Sequence, residues 1–239
     1  MGRAYSVRKE SIEKSGKQKG KLYTNYAKEI YVVAKRGTPD LEANLELKRL
    51  VEKAKRLEVP NDIINRAIDK AKGNTGESLE EITYEGFGPG ASTFIIKCLT
   101  DNVHRTVGMV RAAFNKVNKS LGVTNSVSYN YDYLGVLAFK HSSEEEILDH
   151  LISNNINLID IENENNEIII YFKPADMNKV KEVLEKLIPN IEYTFDEIGM
   201  FPKEEITLEN EELEEFNKLY SLLEDIDDVN TIYHNVKVD

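Results

Sequence analysis

Histidine and cysteine supply many catalytic and metal-binding sites, and the sequence contains four histidines and one cysteine. The four histidines are His104, His141, His150 and His234, and no two of them have the i, i+4 spacing of a zinc-binding helix. Cys98 stands in an apolar run, which predicts a small buried side chain rather than a reactive thiol. We therefore predict no catalytic residue, no metal, no cofactor and no small-molecule substrate.

Two further patterns resemble ligand sites. The segment Gly86-Phe87-Gly88-Pro89-Gly90 is glycine-rich like a phosphate-binding loop, but Pro89 has no N–H and a strand-like run follows. We interpret it as a tight turn, with phosphate binding as a weaker alternative. The acidic runs at 209–215 and 224–228 lack the glycine and the closing glutamate of a calcium loop. A solvated face is the simpler interpretation of the first run, which starts a helix.

The distribution of charge is more informative than its total. The net charge of −11 argues against a polyanionic partner, because nucleic acid is bound mainly by neutralising phosphates. However, residues 1–76 hold 18 Lys/Arg against 10 Asp/Glu, a net of +8, and residues 77–239 hold 13 against 32, a net of −19. This asymmetry predicts a basic, nucleic-acid-binding head, residues 1–76, on an acidic body.

The predicted nucleic-acid contacts are basic side chains together with one tyrosine. In the head they are Arg3, Arg8, Lys9, Lys14, Lys17, Lys19, Lys21, Tyr23, Lys28, Lys35, Arg36, Lys48, Arg49, Lys53, Lys55, Arg56, Arg66 and Lys70, and in the body they are Arg105 and Arg111. Tyr5, Tyr23 and Tyr31 are interleaved with these cations and could stack on bases if they are exposed. The alternative is that the head charges only keep a small bundle soluble. For Arg105 and Arg111, the sequence favours two interpretations equally. They contact nucleic acid, or they pair with nearby acids and the helix dipole.

Three helices must position the head cations. Residues 1–21 are rich in Lys and Arg with few large apolar side chains, which predicts a mobile basic arm. Apolar residues then recur at helical spacing in three segments, from Leu22 to Gly37, from about Leu41 to Leu57, and from Pro60 to Gly73. Three short amphipathic helices joined by tight turns predict a small helical bundle.

The body changes to strand-like periodicity. From 135 onward the predicted order is strand, helix, strand, strand, helix, strand, which is the ferredoxin-like βαββαβ unit. The flanking segments supply strands, a helix near 103–117, a helix at 209–223 and a strand at 231–236. We therefore predict an α+β fold with three domains: a basic arm and bundle at 1–76, an α+β domain at 77–134 plus 204–239, and an inserted ferredoxin-like domain at 135–203.

The motifs resemble those of the YebC/PmpR family, which includes mitochondrial translational activators of cytochrome c oxidase, and most closely its YeeN-type branch. The resemblance covers nearly the whole chain. It rests on Lys21-Leu22-Tyr23-Thr24, Glu29-Ile30, Ala43-Asn44, Lys53-Ala54-Lys55, Val59-Pro60, Arg66-Ala67-Ile68, Tyr84-Glu85-Gly86-Phe87-Gly88-Pro89-Gly90, Leu99-Thr100-Asp101-Asn102, Arg105-Thr106, Val110-Arg111, Ser126-Val127 and Tyr233-His234-Asn235-Val236. The chain departs from the family pattern at Ala4-Tyr5-Ser6, where Lys-Trp-Ala is common, at Asn25 for a usual lysine and at Asn125 for a usual glycine.

The resemblance implies a helical head, two α+β domains with the third inserted in the second, and a regulator that is not an enzyme. It implies a transcriptional regulatory protein binding DNA or, in other members, a ribosome-associated factor that helps translation through proline-rich stretches. From the residues alone, structured ribosomal RNA is slightly favoured, because no helix presents a set of side chains for reading base edges. A protein-interaction scaffold is the third alternative. The N-terminus has no apolar signal segment and no stretch is long enough to span a membrane, so we expect a cytoplasmic protein.

Overall fold

The structure is a computed structural model that describes residues 4–15, 19–73 and 78–237. The helices are α1 (Ala4–Ser15), α2 (Lys19–Arg36), α3 (Leu45–Arg56), α4 (Asn61–Lys72), α5 (Val103–Asn115), α6 (Glu144–Ser153), α7 (Met177–Leu187) and α8 (Asn210–Glu224). The strands are β1 (Glu80–Phe87), β2 (Thr93–Thr100), β3 (Ser120–Leu121), β4 (Tyr131–Lys140), β5 (Leu158–Glu164), β6 (Glu167–Phe172), β7 (Tyr193–Pro202) and β8 (Val229–His234). Helices come first and sheet-containing segments follow, which confirms the predicted α+β class.

The chain divides into two compact units. One unit combines residues 1–9 with 130–204, and the other combines residues 10–129 with 205–239. We call them the 130–204 unit and the helix-sheet unit. The helix-sheet unit therefore holds both α2–α4 and the first sheet, whereas the sequence assigned them to separate domains. The three-domain division with its boundaries stays a prediction.

Each of α2, α3 and α4 buries one apolar stripe in a shared core, as predicted. In α3 the stripe is Leu47, Val51 and Ala54, at spacings of four and three. The side chain of Asn44 caps this helix by accepting a hydrogen bond from the Leu47 N–H at 3.0 Å. Ile30 of α2 and Ile64 of α4 are almost fully buried in the same core.

The prediction of a mobile arm at 1–21 is wrong for the residues that the structure describes there. Residues 4–15 form α1, and Lys19 already belongs to α2. Within the 130–204 unit, the Tyr5 ring meets the Phe195 ring edge-on at 4.9 Å, and its hydroxyl donates to Glu167 at 3.0 Å. The helix is ordered because its buried partners lie far along the chain, where local periodicity gives no sign of them. Tyr5 is therefore not available for base stacking.

The sheet of the helix-sheet unit has the strand order β3-β1-β2-β8, with antiparallel pairing throughout. Its core includes Phe94 from β2 and Phe114 from α5. A Cβ atom at Gly86 would lie 2.6 Å from the Phe114 ring, and one at Gly88 would lie 2.4 Å from the Phe94 ring. Glycine at these two positions thus lets the phenylalanine rings pack directly against the backbone. A turn follows, in which the Gly88 N–H donates to the Ser92 carbonyl at 2.8 Å.

A single carboxylate holds the segment between β3 and β4. Glu85 accepts hydrogen bonds from the backbone N–H groups of Asn125, Val127 and Ser128 at 2.9, 2.7 and 2.9 Å. Burial alone would raise the pKa of Glu85, but these three hydrogen bonds outweigh it and hold the pKa below its usual value. Asn125 has φ of 64°, a region that glycine favours and asparagine tolerates.

The 130–204 unit runs strand, helix, strand, strand, helix, strand from β4 to β7, in the predicted order. Its antiparallel sheet has the order β5-β6-β4-β7. Leu137, Phe139, Ile168 and Ile170 of the sheet share a core with α6 and α7. The β5–β6 hairpin turns at Asn165 and Asn166, whose φ values are 53° and 63°.

Candidate nucleic-acid interface

One face of α2 is attached to the segment 225–230 that leads into β8. Lys21, Asn25 and Lys28 share this face at spacings of four and three. Their side chains donate to the backbone carbonyls of Ile226 at 3.0 Å, Asn230 at 3.1 Å and Asp227 at 2.7 Å, respectively. Lys21 and Lys28 of the head therefore form hydrogen bonds with the backbone of the acidic run 224–228. Two of the predicted nucleic-acid contacts, Lys21 and Lys28, serve this attachment.

Lys21 is partly buried in that contact. Burial lowers the pKa of its ammonium group, and the neighbouring carboxylates of Glu224 and Asp227 oppose this only in part. A lysine in this setting has given up much of its hydration to contacts inside the protein. It is therefore a poor candidate for a phosphate contact.

Asp228 lies at the centre of the same junction. One of its oxygens accepts hydrogen bonds from Arg105 at 2.8 Å, Thr106 at 2.8 Å and Thr100 at 3.2 Å. The ammonium group of Lys28 is 3.9 Å from its other oxygen. Burial alone would raise the pKa of Asp228, but the hydrogen bonds from Arg105 and Thr106 hold it below its usual value.

Arg105 also pairs with Asp101 at 2.7 Å, so two carboxylates hold its guanidinium. Of the two interpretations that the sequence left equal, pairing with nearby acids is the one that the structure shows for Arg105. Arg111 differs, because it is exposed on α5 and makes no ion pair within the described part of the chain.

Arg8 is buried, contrary to the prediction that it contacts nucleic acid. Within the 130–204 unit its guanidinium is 2.6 Å from Glu197, and the two side chains are only 11% and 5% exposed. Lys9 lies 3.4 Å from Glu167 and is partly exposed. Arg3 and Lys17 lie outside the described residues, as does the side chain of Lys14.

Several outer cations of the helix-sheet unit form ion pairs at the surface. The pairs are Lys19–Glu58 at 3.2 Å, Arg36–Glu46 at 2.7 Å, Lys48–Glu42 at 3.2 Å and Arg66–Asp62 at 3.3 Å. Exposed pairs of this kind contribute about 0–1 kcal/mol, so a phosphate can compete for the cation. These four residues remain accessible, with part of their charge already balanced.

The outer face of α3 carries a row of cations that we call the α3 stripe: Arg49, Lys53 and Arg56. They lie at spacings of four and three, on the side of the helix opposite to Leu47, Val51 and Ala54. Arg56 is exposed, and Arg49 and Lys53 are partly exposed. Lys55 is exposed on the flank of the same helix. Three cations in one row can follow a phosphate backbone.

Two more lysines meet at Tyr31. The ammonium groups of Lys35 in α2 and Lys70 in α4 lie 5.2 and 5.5 Å from the centre of its ring. Lys35 also donates a hydrogen bond to the Tyr31 hydroxyl at 2.8 Å. Tyr31 is only 3% exposed, and Tyr23 is partly buried against the helical core, so neither ring is an open stacking surface.

Other classes of site find no support in the described residues. Within them, no three His, Cys, Asp or Glu side chains are grouped to hold a metal ion. Cys98 is buried, and burial raises the pKa of its thiol to about 12. In the same ranges, no helix combines the length and the apolar character needed to cross a membrane.

The comparisons with known proteins cover both the helical region and the sheets. Residues 3–74 match the model of the TACO1/YebC protein N-terminal domain, and residues 79–236 match that of the TACO1/YebC second and third domain. The chain belongs to the TACO1/YebC family. Its assignment to the YeeN-type branch stays a prediction.

Relatives within the TACO1/YebC family agree over their full length. Proteins named "Probable transcriptional regulatory protein" from Alcanivorax borkumensis and from a Marinomonas species are each 41% identical, over 99% of this chain and 99% and 100% of theirs. A conserved hypothetical protein from Aquifex aeolicus has a crystal structure that superposes with a TM-score of 0.74 at 33% identity, covering 93% of this chain and 91% of that one. The names of the first two support a regulatory role.

Proposed function

We propose that this TACO1/YebC family member is a non-enzymatic transcriptional regulator that binds duplex DNA through its phosphates. The α3 stripe is the observation that carries the proposal. Arg49, Lys53 and Arg56 lie in one row on the face turned away from the core, where they can neutralise successive phosphates. We propose that the protein acts in the cytoplasm, where it meets nucleic acid.

The internal contacts narrow the set of side chains that can take part. Arg8, Lys21, Lys28 and Arg105 are committed to carboxylates or carbonyls of the protein. The candidates at the surface are the α3 stripe, Lys35, Lys55, Lys70 and Arg111, together with the surface-paired Lys19, Arg36, Lys48 and Arg66. Up to five phosphates, at most one for each cation of the stripe and each of Lys35 and Lys70, would give log K a slope against log[salt] of about −4 to −5 on duplex DNA.

In this proposal, the affinity for DNA depends on phosphate contacts and only weakly on the base sequence. The α3 stripe contains no Asn or Gln for pairing with adenine, and we assign Arg49 and Arg56, which can also pair with guanine in the major groove, to phosphates. Phosphate contacts fix position and orientation, and base-edge contacts specify sequence. We therefore expect similar affinities for duplexes of different sequence.

The same observation favours a second candidate function, binding of structured RNA on the ribosome. A-form RNA is recognised mainly through its shape and its phosphates, for which a row of cations is sufficient. In this alternative the protein is a ribosome-associated translation factor that contacts ribosomal RNA and relieves stalling at proline-rich stretches.

A matched pair of triple variants tests the role of the α3 stripe. Arg49→Gln/Lys53→Gln/Arg56→Gln removes three charges of the stripe, and Arg36→Gln/Lys48→Gln/Arg66→Gln removes three charges that surface acids already balance. Fluorescence anisotropy with labelled duplex DNA over a series of salt concentrations gives the slope for each. We expect the stripe variant to lose about 3 units of slope and the control less than about 1. Equal losses would mean that only total charge matters, and a salt-independent wild type would reject nucleic-acid binding altogether.

Crosslinking in living cells, followed by sequencing of the attached nucleic acid, separates the two functions. Discrete promoter DNA supports the transcriptional role and rejects the ribosomal one. Predominantly ribosomal RNA supports the ribosomal role and rejects the transcriptional one. The stripe variant should lower the recovery of whichever nucleic acid is bound, whereas its matched control should leave recovery close to wild type.

A further inference from the structure

The outer side of α5 presents a row of exposed residues that we call the α5 face: His104, Gly108, Arg111 and Asn115. They follow one another at spacings of four, three and four, so they share one side of the helix. The opposite side is buried in the core of the helix-sheet unit, where Phe114 lies. Lys116 comes directly after the helix and is exposed as well.

The segment that contains α5 differs in charge from the rest of the acidic body. Residues 102–131 contain no Asp or Glu, although residues 77–239 as a whole hold 32 acids, about one residue in five. The segment has four basic residues: Arg105, Arg111, Lys116 and Lys119. Two carboxylates hold Arg105, whereas Arg111 and Lys116 form no ion pair with any other described residue. Charge complementarity therefore favours an anionic partner for the α5 face.

Gly108 is a second unusual feature of this face. Glycine in the interior of a helix is destabilising relative to alanine, because it loses more backbone entropy on folding. No contact in the described part of the chain requires glycine here, since a Cβ atom added at Gly108 would have no neighbouring heavy atom within 4 Å. Glycine is also the residue that lets another molecule approach a backbone closely. The position therefore fits a partner that lies directly against the helix.

We propose that the α5 face is a second contact of the protein with the nucleic-acid backbone, at which the helix itself lies close to the sugar-phosphate chain. The inference rests on the proposed function and adds to it a surface outside the α3 stripe. Arg111 and Lys116 each neutralise a phosphate, and the side-chain amide of Asn115 donates to a phosphate oxygen. The helix dipole favours a cation in the last turn, which accounts for Lys116 but for neither Arg111 nor Gly108.

Replacing the glycine separates this contact from a structural role. Gly108→Ala should raise the midpoint of thermal unfolding by about 1–4 °C, because alanine is the better helix former and its methyl group meets no obstacle. Gly108→Gln places a longer side chain where the sugar-phosphate chain lies, so it should weaken binding to duplex DNA by roughly tenfold in a protein that stays folded.

Gly20→Gln is the matched control for this replacement. Gly20 is also exposed in a helix, and a Cβ atom added there has no neighbouring heavy atom within 4 Å. The control should change the dissociation constant for duplex DNA by less than about twofold. Equal affinities of Gly108→Gln and Gly20→Gln would overturn the proposal, because nothing would then lie against α5.

The charges of the α5 face have their own signature in the salt dependence. Arg111→Gln/Lys116→Gln should lower the magnitude of the slope of log K against log[salt] by about 1.8 on duplex DNA, since each neutralised phosphate contributes about 0.9. Lys218→Gln/Lys237→Gln removes two exposed charges of the same unit from outside the segment 102–131, and it should change the slope by less than about 0.5. Equal slope changes in the two double variants would also overturn the proposal.

The outcomes distinguish this inference from the proposed function. If the α3 stripe variant loses affinity and the α5 variants bind like the wild type, the α5 contact is rejected and the proposed function stands. If only the α5 variants lose affinity, the role of the α3 stripe is rejected and the α5 contact stands. A wild type without salt-dependent binding to duplex DNA or to structured RNA rejects both.

Discussion

The inner face of α2 carries Lys21, Asn25 and Lys28, and the outer face of α3 carries the α3 stripe, at the same spacings of four and three. On α2, Lys21 and Lys28 donate to backbone carbonyls of the segment 225–230. On α3, Arg49 and Arg56 point away from the core. Two helix faces with basic side chains thus differ in their setting: the α2 face is attached to the rest of the protein, and the α3 face is the one that we propose as a surface for a partner.

The acceptor decides between these roles, and it lies far away in the sequence. Lys21 and Ile226 are 205 residues apart, and Arg105 and Asp228 are 123 residues apart. No local pattern around a lysine or an arginine reveals such a partner. Counting basic residues therefore overestimates the surface that is available to nucleic acid.

Replacing Arg8 by methionine should have the largest effect on stability. The change would leave Glu197 as a buried, unpaired carboxylate, which costs about 3–5 kcal/mol. Urea unfolding of the full chain measures the loss. Lys9→Met is the control, because its pair with Glu167 is partly exposed and is worth less than about 1 kcal/mol. Equal, small losses of unfolding free energy in both variants would show that Arg8 behaves as a surface cation.

Replacing Asp228 by alanine should have the next largest effect. The change removes the acceptor of Arg105, Thr106 and Thr100, and we expect a loss of about 2–3 kcal/mol in the free energy of unfolding. Asp227→Ala removes the same charge from the exposed neighbour, whose backbone carbonyl and not its carboxylate binds Lys28. Asp227→Ala should therefore cost less than about 0.5 kcal/mol. A similar loss in both variants would show that the junction depends on net charge alone.

Acid should weaken the helix-sheet unit through Asp228 and Glu85. Both carboxyl groups have pKa values below those of the unfolded chain, which lie at about 4. Their contribution is fully present above that value and is lost as the pH falls through the folded pKa values, at up to about 1.4 kcal/mol per pH unit for each group. Urea unfolding at a series of pH values between neutral and acidic measures this loss of stability, and Asp228→Asn and Glu85→Gln should each make the stability less dependent on pH. The same loss of stability in acid in the wild type and both variants would show that Asp228 and Glu85 are not its cause.

Removing the inner lysines should have the smallest effect on nucleic-acid affinity. Lys21→Gln/Lys28→Gln should change the dissociation constant for duplex DNA by less than about twofold, or about 0.4 kcal/mol, at constant salt. Arg49→Gln/Arg56→Gln removes the same charge from the α3 stripe and should weaken binding by roughly tenfold. Equal losses of DNA affinity in the two double variants would show that the inner and outer cations do not differ in nucleic-acid binding.

The elements of the fold could largely be predicted from the sequence, because they depend on local periodicity. Leu47, Val51 and Ala54 mark the buried face of α3 without any knowledge of its neighbours. The α1 helix could not be predicted in this way. Tyr5 is buried by Phe195, a contact between residues that are far apart in the sequence, and the surrounding lysines and arginines resemble a mobile arm.

The sequence indicated where the candidate site lies, and the nucleic-acid contacts themselves stay a prediction. The concentration of Lys and Arg before residue 76 directed attention to the helices that carry the α3 stripe. Asp228 and Glu85 gave no comparable signal, because an isolated acid in a sequence does not show how many N–H groups it accepts. One indication was present: Lys21, Asn25 and Lys28 all share one face of α2.

The long separation between α2 and its acceptors also has a consequence for the timing of biosynthesis. A ribosome that adds about 5–20 residues per second needs roughly 10–40 s to travel the 205 residues from Lys21 to Ile226. The core of α2–α4 is local and can form early, but its inner lysines have no acceptor until the last strand emerges. For that interval the nascent chain presents both the inner lysines and the α3 stripe to any polyanion nearby, and completion of β8 withdraws the inner lysines.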